Sequence, residues 1–337
     1  MKSVLKKLRP YLMVLAVVLI AYVLYQSDIP GIAAAVKATP ITQLLLVIGL
    51  QLITQLLLNF QWYRLSRIMG WKTSFAKLLV VNAYGVVADA ITPGEKVGGE
   101  VARVVQLKSS FGYTTAQSTI LVTIQKALSL CALVVLNLMV VLTMADRVSF
   151  LQPMPVRIAV LVILIIIAAF LFLLLFHTNR LAARMCRIRA KKKWLKVFIN
   201  WTDSFAQHTQ IIRQKRGEWV LQFVLSVLIW SVFPLKLILL VSSYHAQIPA
   251  LALFGTTFVA YFAGMIPLLP GGLGTFEAAM SSILIVYGLS FQQALAATVV
   301  FRFVTFWLVV LVSVAMIVVH RIALRKRARQ PEMKHDS

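Results

Sequence analysis

Residues 270–277 read Pro-Gly-Gly-Leu-Gly-Thr-Phe-Glu, and they interrupt an apolar stretch that begins at Ala250. Residues 93–100 read Pro-Gly-Glu-Lys-Val-Gly-Gly-Glu and interrupt a second apolar stretch, which begins at Phe75. In both segments a Pro-Gly pair is followed by a glutamate seven residues after the proline. Because proline and clustered glycine break helices, both stretches are predicted to be re-entrant or broken-helix hairpins, over residues 75–108 and 250–287.

Long apolar runs dominate the rest of the chain. Hydrophobic residues make up 60% of the 337 residues and charged residues only 13%, a composition that no soluble single-core domain has. A helix needs about 20 apolar residues to cross a hydrocarbon layer of about 30 Å. The predicted fold class is therefore all-α, a polytopic membrane helix bundle with about six full spans and two hairpins. The candidate spans are Tyr11 to Tyr25, Ile41 to Phe60, Ser118 to Met144, Val156 to Phe176, Trp219 to Ser242 and Ala294 to Val319.

The formal net charge of +24 comes from Lys and Arg in short blocks beside these runs. Such placement indicates orientation signals and contact with anionic membrane lipids, and it makes nucleic acid an unexpected partner. It predicts a multi-pass protein of the cytoplasmic membrane with both termini and the linker 177–217 on the cytoplasmic side. A full crossing by Phe75 to Ala90 would export that basic linker, so we reject it. Residues 191–213 are predicted to form an interfacial amphipathic helix, the alternative being a solvated linker.

The two Pro-Gly segments also mark an internal repeat. A basic residue follows each glutamate, Lys126 after 26 positions and Arg302 after 25. An offset of about 177 residues relates the two units and superimposes 41–60 on 219–242, with opposite predicted directions. Inverted repeats of this kind are the architecture of many secondary transporters. The organisation predicted is an N-terminal helix and outer loop (1–40), repeat A (41–145), a connecting helix with the basic linker (146–218), repeat B (219–320) and a basic tail (321–337).

Backbone that leaves a helix inside the membrane must line a cavity or be buried in protein. We therefore expect a polar cavity where the repeats meet, with the half-helices that begin near Gly99 and Leu273 pointing free N–H groups at a phosphate or carboxylate. Glu277 is expected to pair with Arg302. Glu100 is expected to pair with Lys126 or Arg103. The alternative is that each glutamate only stabilises its own helix N-terminus and each base only neutralises it.

Other charged positions are less decisive. Asp89, Glu95 and Lys96 either line the cavity or lie at its mouth, Arg103 can reach the cytoplasmic face, and Lys236 is expected to extend to the membrane surface. The candidate substrate-binding residues share a place in or beside the two breaks: Arg302, Glu277, Glu100, Lys126, Arg103, Gly271, Gly272, Gly274, Pro270, Pro93, Gly94, Glu95 and Gly99. The histidines are dispersed and no P-loop occurs, so we predict no metal, no cofactor and no catalytic residue.

Residues 93–103 and 270–279, together with Phe301-Arg302 and Thr305-Phe306-Trp307, resemble the membrane domain of lysylphosphatidylglycerol synthases. The resemblance runs from about Leu8 to Arg325. The same domain occurs alone in proteins called flippase-like. One departure is that the family often has Glu-Arg where this chain has Gln125-Lys126, which weakens a bidentate contact with phosphate there.

The resemblance implies a part in moving aminoacylated phosphatidylglycerol between leaflets. In the synthases a separate soluble domain makes that lipid from aminoacyl-tRNA, and we expect that enzyme domain to be absent from this chain. The leading hypothesis is a flippase-like transporter of an anionic or aminoacylated phospholipid, or of a polyprenyl-phosphate-linked lipid. Two others stay open: a membrane subunit of phosphatidylglycerol lysyltransferase that works with a separate soluble synthase, and a scaffold for envelope lipid enzymes or a glycosyltransferase.

Overall fold

A computed structural model describes residues 39–92, 97–144, 152–178, 193–244, 247–266 and 271–329, as well as 34, 36 and 37. Helices account for almost all of this part of the chain, and it contains no strand. They are α1 (Ile41–Ile68), α2 (Phe75–Ile91), α3 (Val97–Phe111), α4 (Thr115–Met144), α5 (Met154–Phe176), α6 (Lys193–Gln214), α7 (Arg216–Ser242), α8 (Ala250–Gly264), α9 (Thr275–Val286), α10 (Phe291–Arg302), a π-helical turn (Phe303–Trp307) and α11 (Leu308–Arg329).

Five segments of this part are long and apolar enough to cross a membrane. They are Ile41–Ile68, Thr115–Leu142, Met154–Phe176, Gly217–Ser242 and Phe291–Leu324. The predicted polytopic all-α class is therefore confirmed, and five of the six predicted spans are present. The sixth, Tyr11 to Tyr25, lies outside the described residues. Pro40, Pro153 and Pro249 each directly precede a helix, as its N-cap residue.

The helix starts repeat along the chain. Helices α1, α2, α3 and α4 begin at 41, 75, 97 and 115, and α7, α8, α9 and α10 begin at 216, 250, 275 and 291. Each start in the second set therefore follows its counterpart by 175 to 178 residues. The structure thus has two copies of one unit, a long helix, a broken-helix hairpin and a second long helix, at the spacing that the sequence predicts.

The first helices of the two units pack antiparallel. Near one end Gln43 donates a hydrogen bond to Ser242 at 3.3 Å, and near the other end Arg64 contacts Glu218. We call the end with Gln43 and Ser242 the upper end and the end with Arg64 and Glu218 the lower end. Because α1 descends while α7 ascends, the two units are inverted with respect to each other.

Each hairpin starts and finishes at the same end of the bundle. For the first, the Tyr113 hydroxyl, just after α3, donates to the Lys72 carbonyl just before α2, at 2.9 Å. For the second, Ala252 near the start of α8 and Tyr287 just after α9 line one common cavity. The hairpins therefore enter from opposite ends, and their breaks converge at mid-depth. This is the re-entrant arrangement that the sequence predicts.

Asn59 joins the first hairpin to α1. Its side chain donates to the Phe75 carbonyl at 3.0 Å and accepts from Asn82 at 3.0 Å, and it is 1% exposed. We expect Asn59→Ala to lower the free energy of unfolding by about 2 kcal/mol, since two buried polar groups lose their partner. Denaturant titration in detergent micelles measures this. The control, Ser109→Ala, removes a hydrogen bond of an exposed side chain and should cost less than about 0.5 kcal/mol.

The amphipathic segment predicted over 191–213 is helix α6, Lys193–Gln214. Its apolar face packs on the lower end of the bundle, because Phe205 and Ile212 are fully buried in a cluster with Trp62 and Leu65.

Candidate functional site

A cavity of about 190 Å³ lies where the two repeats meet. Its wall takes residues from seven of the eight helices that make up the repeats, all but α9, and from the π-helical turn and α11. The charged side chains in the wall are Asp89, Glu100, Arg103, Lys126 and Arg302. The predicted polar cavity is therefore present, and charges of both repeats reach it.

Repeat A contributes four charges that contact one another. Lys126 Nζ lies 3.2 Å from Glu100 Oε1, and Arg103 Nη1 lies 3.7 Å from the same oxygen. Arg103 Nη2 lies 3.5 Å from Asp89 Oδ2. Both expected partners of Glu100 are thus in place, and Asp89 lines the cavity. Arg103 is only 8% exposed, so the expectation that it reaches the cytoplasmic face is wrong.

Close packing of α2 against α3 holds Arg103. A Cβ atom on Gly85 would lie 2.4 Å from Arg103 Nε and 2.8 Å from its Cγ. Glycine at position 85 therefore leaves the space that the arginine side chain fills. Its neighbour in the cluster, Glu100, has one oxygen, Oε2, that is buried and has no hydrogen-bond partner within the described part of the chain. An unpaired carboxylate oxygen of this kind can accept from a ligand.

Repeat B contributes Arg302, which is 3% exposed. Its Nε donates to Glu277 Oε1 at 3.1 Å, and Nη2 donates to the Gly271 carbonyl. The guanidinium carbon lies 4.5 Å from the centre of the Phe276 ring and 4.3 Å from that of Phe306. Stacking between two aromatic faces suits the planar guanidinium. The expected Glu277–Arg302 pair is therefore formed, and it connects the end of α10 to the second break.

The N–H groups of the half-helices are not all free. Gly99 N–H donates to Asp89 Oδ1 at 2.8 Å, and Gly274 N–H donates to Glu277 Oε2 at 2.7 Å. The expectation that these N-termini offer free donors to an anion is wrong at both positions, because carboxylates of the chain itself already accept from them. Glu277 thus has both roles that the sequence left as alternatives: it stabilises its helix and pairs with Arg302.

The glycines of the second break allow its backbone to adopt positive φ angles. Gly271, Gly272 and Gly274 have φ of 63°, 66° and 80°, a region that other residues enter at a cost. A Cβ atom on Gly272 would lie 2.4 Å from the Gly264 carbonyl oxygen. These residues position the break against α8. Of the other predicted site residues, Pro93, Gly94, Glu95 and Pro270 lie outside the described residues, as does Lys96.

The uncharged wall was not predicted from the sequence. Aromatic side chains of α1, α7, α8 and the π-helical turn surround the charges: Trp62, Trp230, Phe233, Tyr261 and Phe306. Gln125 donates to Gln61 at 3.2 Å, and Gln61 donates to Ser226 at 2.6 Å. The π-helical turn directly after Arg302 was also missed, although such turns often occur at functional sites. The interrupted apolar run near Thr305 gave no distinct signal for it.

Lys236 is the largest departure from prediction. It is 0% exposed and does not extend to the membrane surface. Its ammonium donates to Gln51 Oε1 and to Thr54 Oγ1, the latter at 3.0 Å, and lies 4.2 Å from the centre of the Phe233 ring. Thr54 and Phe233 both line the cavity. Lys236 is therefore a buried cation directly behind the cavity wall.

A second cavity, of about 330 Å³, lies on another face of α8. It is lined by side chains of α4, α5, α8 and α9 and by Tyr287, and none of these is charged. Among the described residues, charged side chains therefore line the first of these two cavities and not the second.

Comparisons with known proteins agree with this architecture. The profile of the lysylphosphatidylglycerol synthase TM region matches residues 12–313. A UPF0104 membrane protein of Pyrococcus horikoshii is 21% identical over 327 residues, which are 92% of this chain and 96% of that protein. One of Methanocaldococcus jannaschii is 21% identical over 287 residues, 83% of this chain and 85% of that protein.

A UPF0104 membrane protein of Methanothermobacter thermautotrophicus is 31% identical over 113 residues, and this match spans 34% of the chain and 33% of the relative. The profile match covers most of the chain, including both breaks and the bases that follow them. This chain therefore belongs to the family of the lysylphosphatidylglycerol synthase transmembrane region.

Proposed function

We propose that the protein moves a phospholipid across the membrane by admitting its headgroup into the 190 Å³ cavity between the repeats. The observation that carries the proposal is the meeting of five charged side chains from both repeats in one cavity at mid-depth. A charged group at the centre of the bilayer costs about 2.5 to 3.5 kcal/mol on insertion scales, and such groups generally mark a pathway.

The sign pattern of the cavity favours a lipid with a phosphate. Arg103, Lys126 and Arg302 bring three positive charges to the wall, and Asp89 and Glu100 bring two negative ones. The bases attract a phosphodiester, while the carboxylates can accept from an amino group. An anionic phospholipid and a polyprenyl-phosphate-linked lipid each supply a phosphate for the bases. An aminoacylated phospholipid supplies both a phosphate for the bases and an amino group for the carboxylates.

The cavity volume limits what can enter. Sites for drug-sized ligands typically measure about 300 to 1,000 Å³, so a space of about 190 Å³ suits a headgroup while the acyl chains remain in lipid. The exposed faces of the long helices are apolar, as at Leu52, Leu56 and Leu228. Such faces are compatible with acyl chains that slide along the protein while the headgroup crosses inside.

The test is reconstitution into vesicles that contain a fluorescent phosphatidylglycerol, with an impermeant quencher to follow the outer leaflet. Replacing Glu100 and Lys126 together by glutamine removes both charges of one pair without leaving either alone. We expect this variant to move the lipid at least about tenfold more slowly than the unaltered protein, since charge-assisted contacts contribute about 1.5 to 3 kcal/mol.

Lys108→Gln is the matched control, because Lys108 is exposed and its ammonium donates to the Thr115 hydroxyl, outside the cavity wall; its rate should equal that of the unaltered protein. Equal rates for all three proteins, with folding verified by thermal unfolding, would contradict the proposal. A second labelled lipid, with a lysyl group on phosphatidylglycerol, shows whether the carboxylates select an aminoacylated headgroup.

The family supports one further candidate, a membrane subunit of phosphatidylglycerol lysyltransferase, since its description names the transmembrane region of that synthase. This candidate requires a separate soluble synthase. Lipid analysis of a deletion strain distinguishes the two: loss of aminoacylated lipid supports the subunit, whereas its retention with altered leaflet distribution supports transport.

A further inference from the structure

We propose that Lys236 is the centre of a second anion site, which takes the phosphodiester of a lipid headgroup between the cavity and the upper end of the bundle. The proposal rests on the proposed function for its ligand class, and on separate residues for its evidence. Lys236, Gln51 and Thr54 form the site, and Phe233 covers it.

The first argument is charge. Among the described residues, the bases Arg103, Lys126 and Arg302 each lie within 4 Å of a carboxylate. Lys236 forms no such ion pair in this part of the chain, and its recorded contacts are an amide oxygen, a hydroxyl and an aromatic ring. A buried ammonium without a counter-ion is costly. A group with a single negative charge would balance it.

The second argument is an unused donor beside that cation. Gln51 accepts from Lys236 through Oε1, while its Nε2 is buried and has no hydrogen-bond partner among the residues that the structure describes. The residue is 0% exposed, so water at the surface does not satisfy this amide. An ammonium and a free N–H donor side by side present two donors to one acceptor group, which is the arrangement that a phosphate oxygen pair requires.

The third argument is access. Phe233 and Lys236 are three residues apart, so their side chains lie on one face of α7. The Phe233 ring lines the cavity and separates it from the ammonium. Pro234 lies between them inside α7, and a proline cannot donate the helical hydrogen bond at that position, which makes bending of the helix easier there. Rotation of Phe233 would join the site to the cavity.

The fourth argument is position. Ser242 marks the upper end of α7, and Lys236 precedes it by six residues, or about 9 Å of helix rise. Trp230, in the cavity wall, lies another six residues below. The site is therefore displaced from the cavity toward the upper end. An anion that leaves the central charges in that direction meets Lys236 next.

The experiment titrates the purified protein in dodecyl maltoside micelles with phosphatidylglycerol and follows thermal unfolding. We expect the lipid to raise the melting temperature of the unaltered protein and of Lys236→Arg. In Lys236→Met the lipid concentration for half-maximal stabilisation should increase at least about tenfold. Without lipid, Lys236→Met should melt at or above the temperature of the unaltered protein, because it removes an uncompensated charge.

Lys108→Met is the matched control, an exposed lysine changed in the same way, and it should titrate like the unaltered protein. Equal lipid dependence of Lys236→Met and the unaltered protein would overturn the site. Inorganic phosphate is titrated in parallel, and stabilisation by phosphate alone without any by the lipid would overturn the lipid assignment. Because the titration measures lipid binding, it still tests the Lys236 site if the vesicle experiment shows no transport. Transport with an unchanged Lys236→Met titration would refute this site alone.

Discussion

Arg302→Ala is expected to lower the free energy of unfolding by about 3 kcal/mol, because it leaves Glu277 without its base and the Gly271 carbonyl without its donor. The arginine also fills the space between the Phe276 and Phe306 rings, so the substitution removes packing at the break as well. Titration with a denaturing detergent in mixed micelles, followed by tryptophan fluorescence, measures the change.

Arg302→Lys separates charge from shape. It keeps a positive charge for Glu277, but an ammonium lacks the planar fork that contacts Glu277 and Gly271 together. The expected loss is therefore intermediate between those of the unaltered protein and Arg302→Ala. A loss as large as that of Arg302→Ala would mean that the fork, rather than the charge, stabilises the second break.

A double-mutant cycle isolates the pair. Glu277→Gln keeps an oxygen that can accept from Gly274 N–H, so the helix N-terminus retains its partner while the charge is removed. Combined with Arg302→Met, it should cost about 1 to 3 kcal/mol less than the sum of the single changes, since contacting residues are coupled on this scale. Additive losses would show that Glu277 and Arg302 act independently, contrary to the 3.1 Å contact between them.

Sequence spacing was sufficient to find the ion pairs of the two breaks. Glu100 and Lys126, like Glu277 and Arg302, sit on consecutive helices, the second half of a hairpin and the helix that follows it, so nearly equal separations in sequence place the two pairs at equivalent positions in the repeats. Apolar length likewise predicted the spans of the described residues. The ion pairs and the spans follow from separations and apolar lengths along the sequence, and predicting them does not require knowing which helices pack against each other.

What the sequence did not predict depends on contacts between helices distant in the chain. Lys236 finds Gln51 and Thr54, which are 185 and 182 residues away, and its position near the upper end of α7 therefore gave the wrong expectation. Asp89 reaches Gly99 N–H only because glycine leaves room, since a Cβ atom there would lie 2.1 Å from Asp89 Oδ2. Neither the partners of Lys236 nor the contact between Asp89 and Gly99 can be inferred from helical periodicity.

Arg103 is the residue whose loss should reduce lipid movement most. It contacts both Asp89 and Glu100, so Arg103→Met takes a basic partner from each of these two half-buried carboxylates. A headgroup phosphate would then approach a cavity wall with two positive and two negative charges in place of three and two. We expect the rate for phosphatidylglycerol in vesicles to fall about 10- to 100-fold.

Gly85→Ala tests the placement of Arg103 without changing any charge. Its new Cβ atom would meet the Nε, Cζ and Cγ atoms of the arginine at 2.4 to 2.8 Å, so the side chain must move away from Asp89 and Glu100. Alanine itself favours helix by about 0.5 to 1 kcal/mol, and α2 should not unwind. We therefore expect transport to fall in the same direction as in Arg103→Met while secondary structure is retained.

The matched control is Gly49→Ala, also a glycine within a helix, where the added Cβ would have no described atom within 4 Å apart from those of its own helix backbone and its chain neighbours. It should leave the rate unchanged. Wild-type transport by Gly85→Ala together with loss in Arg103→Met would show that the charge of Arg103 suffices wherever it lies in the cavity. Loss in both, with Gly49→Ala unaffected, requires the guanidinium to be held between Asp89 and Glu100, and that requirement distinguishes a fitted headgroup site from a merely electropositive space.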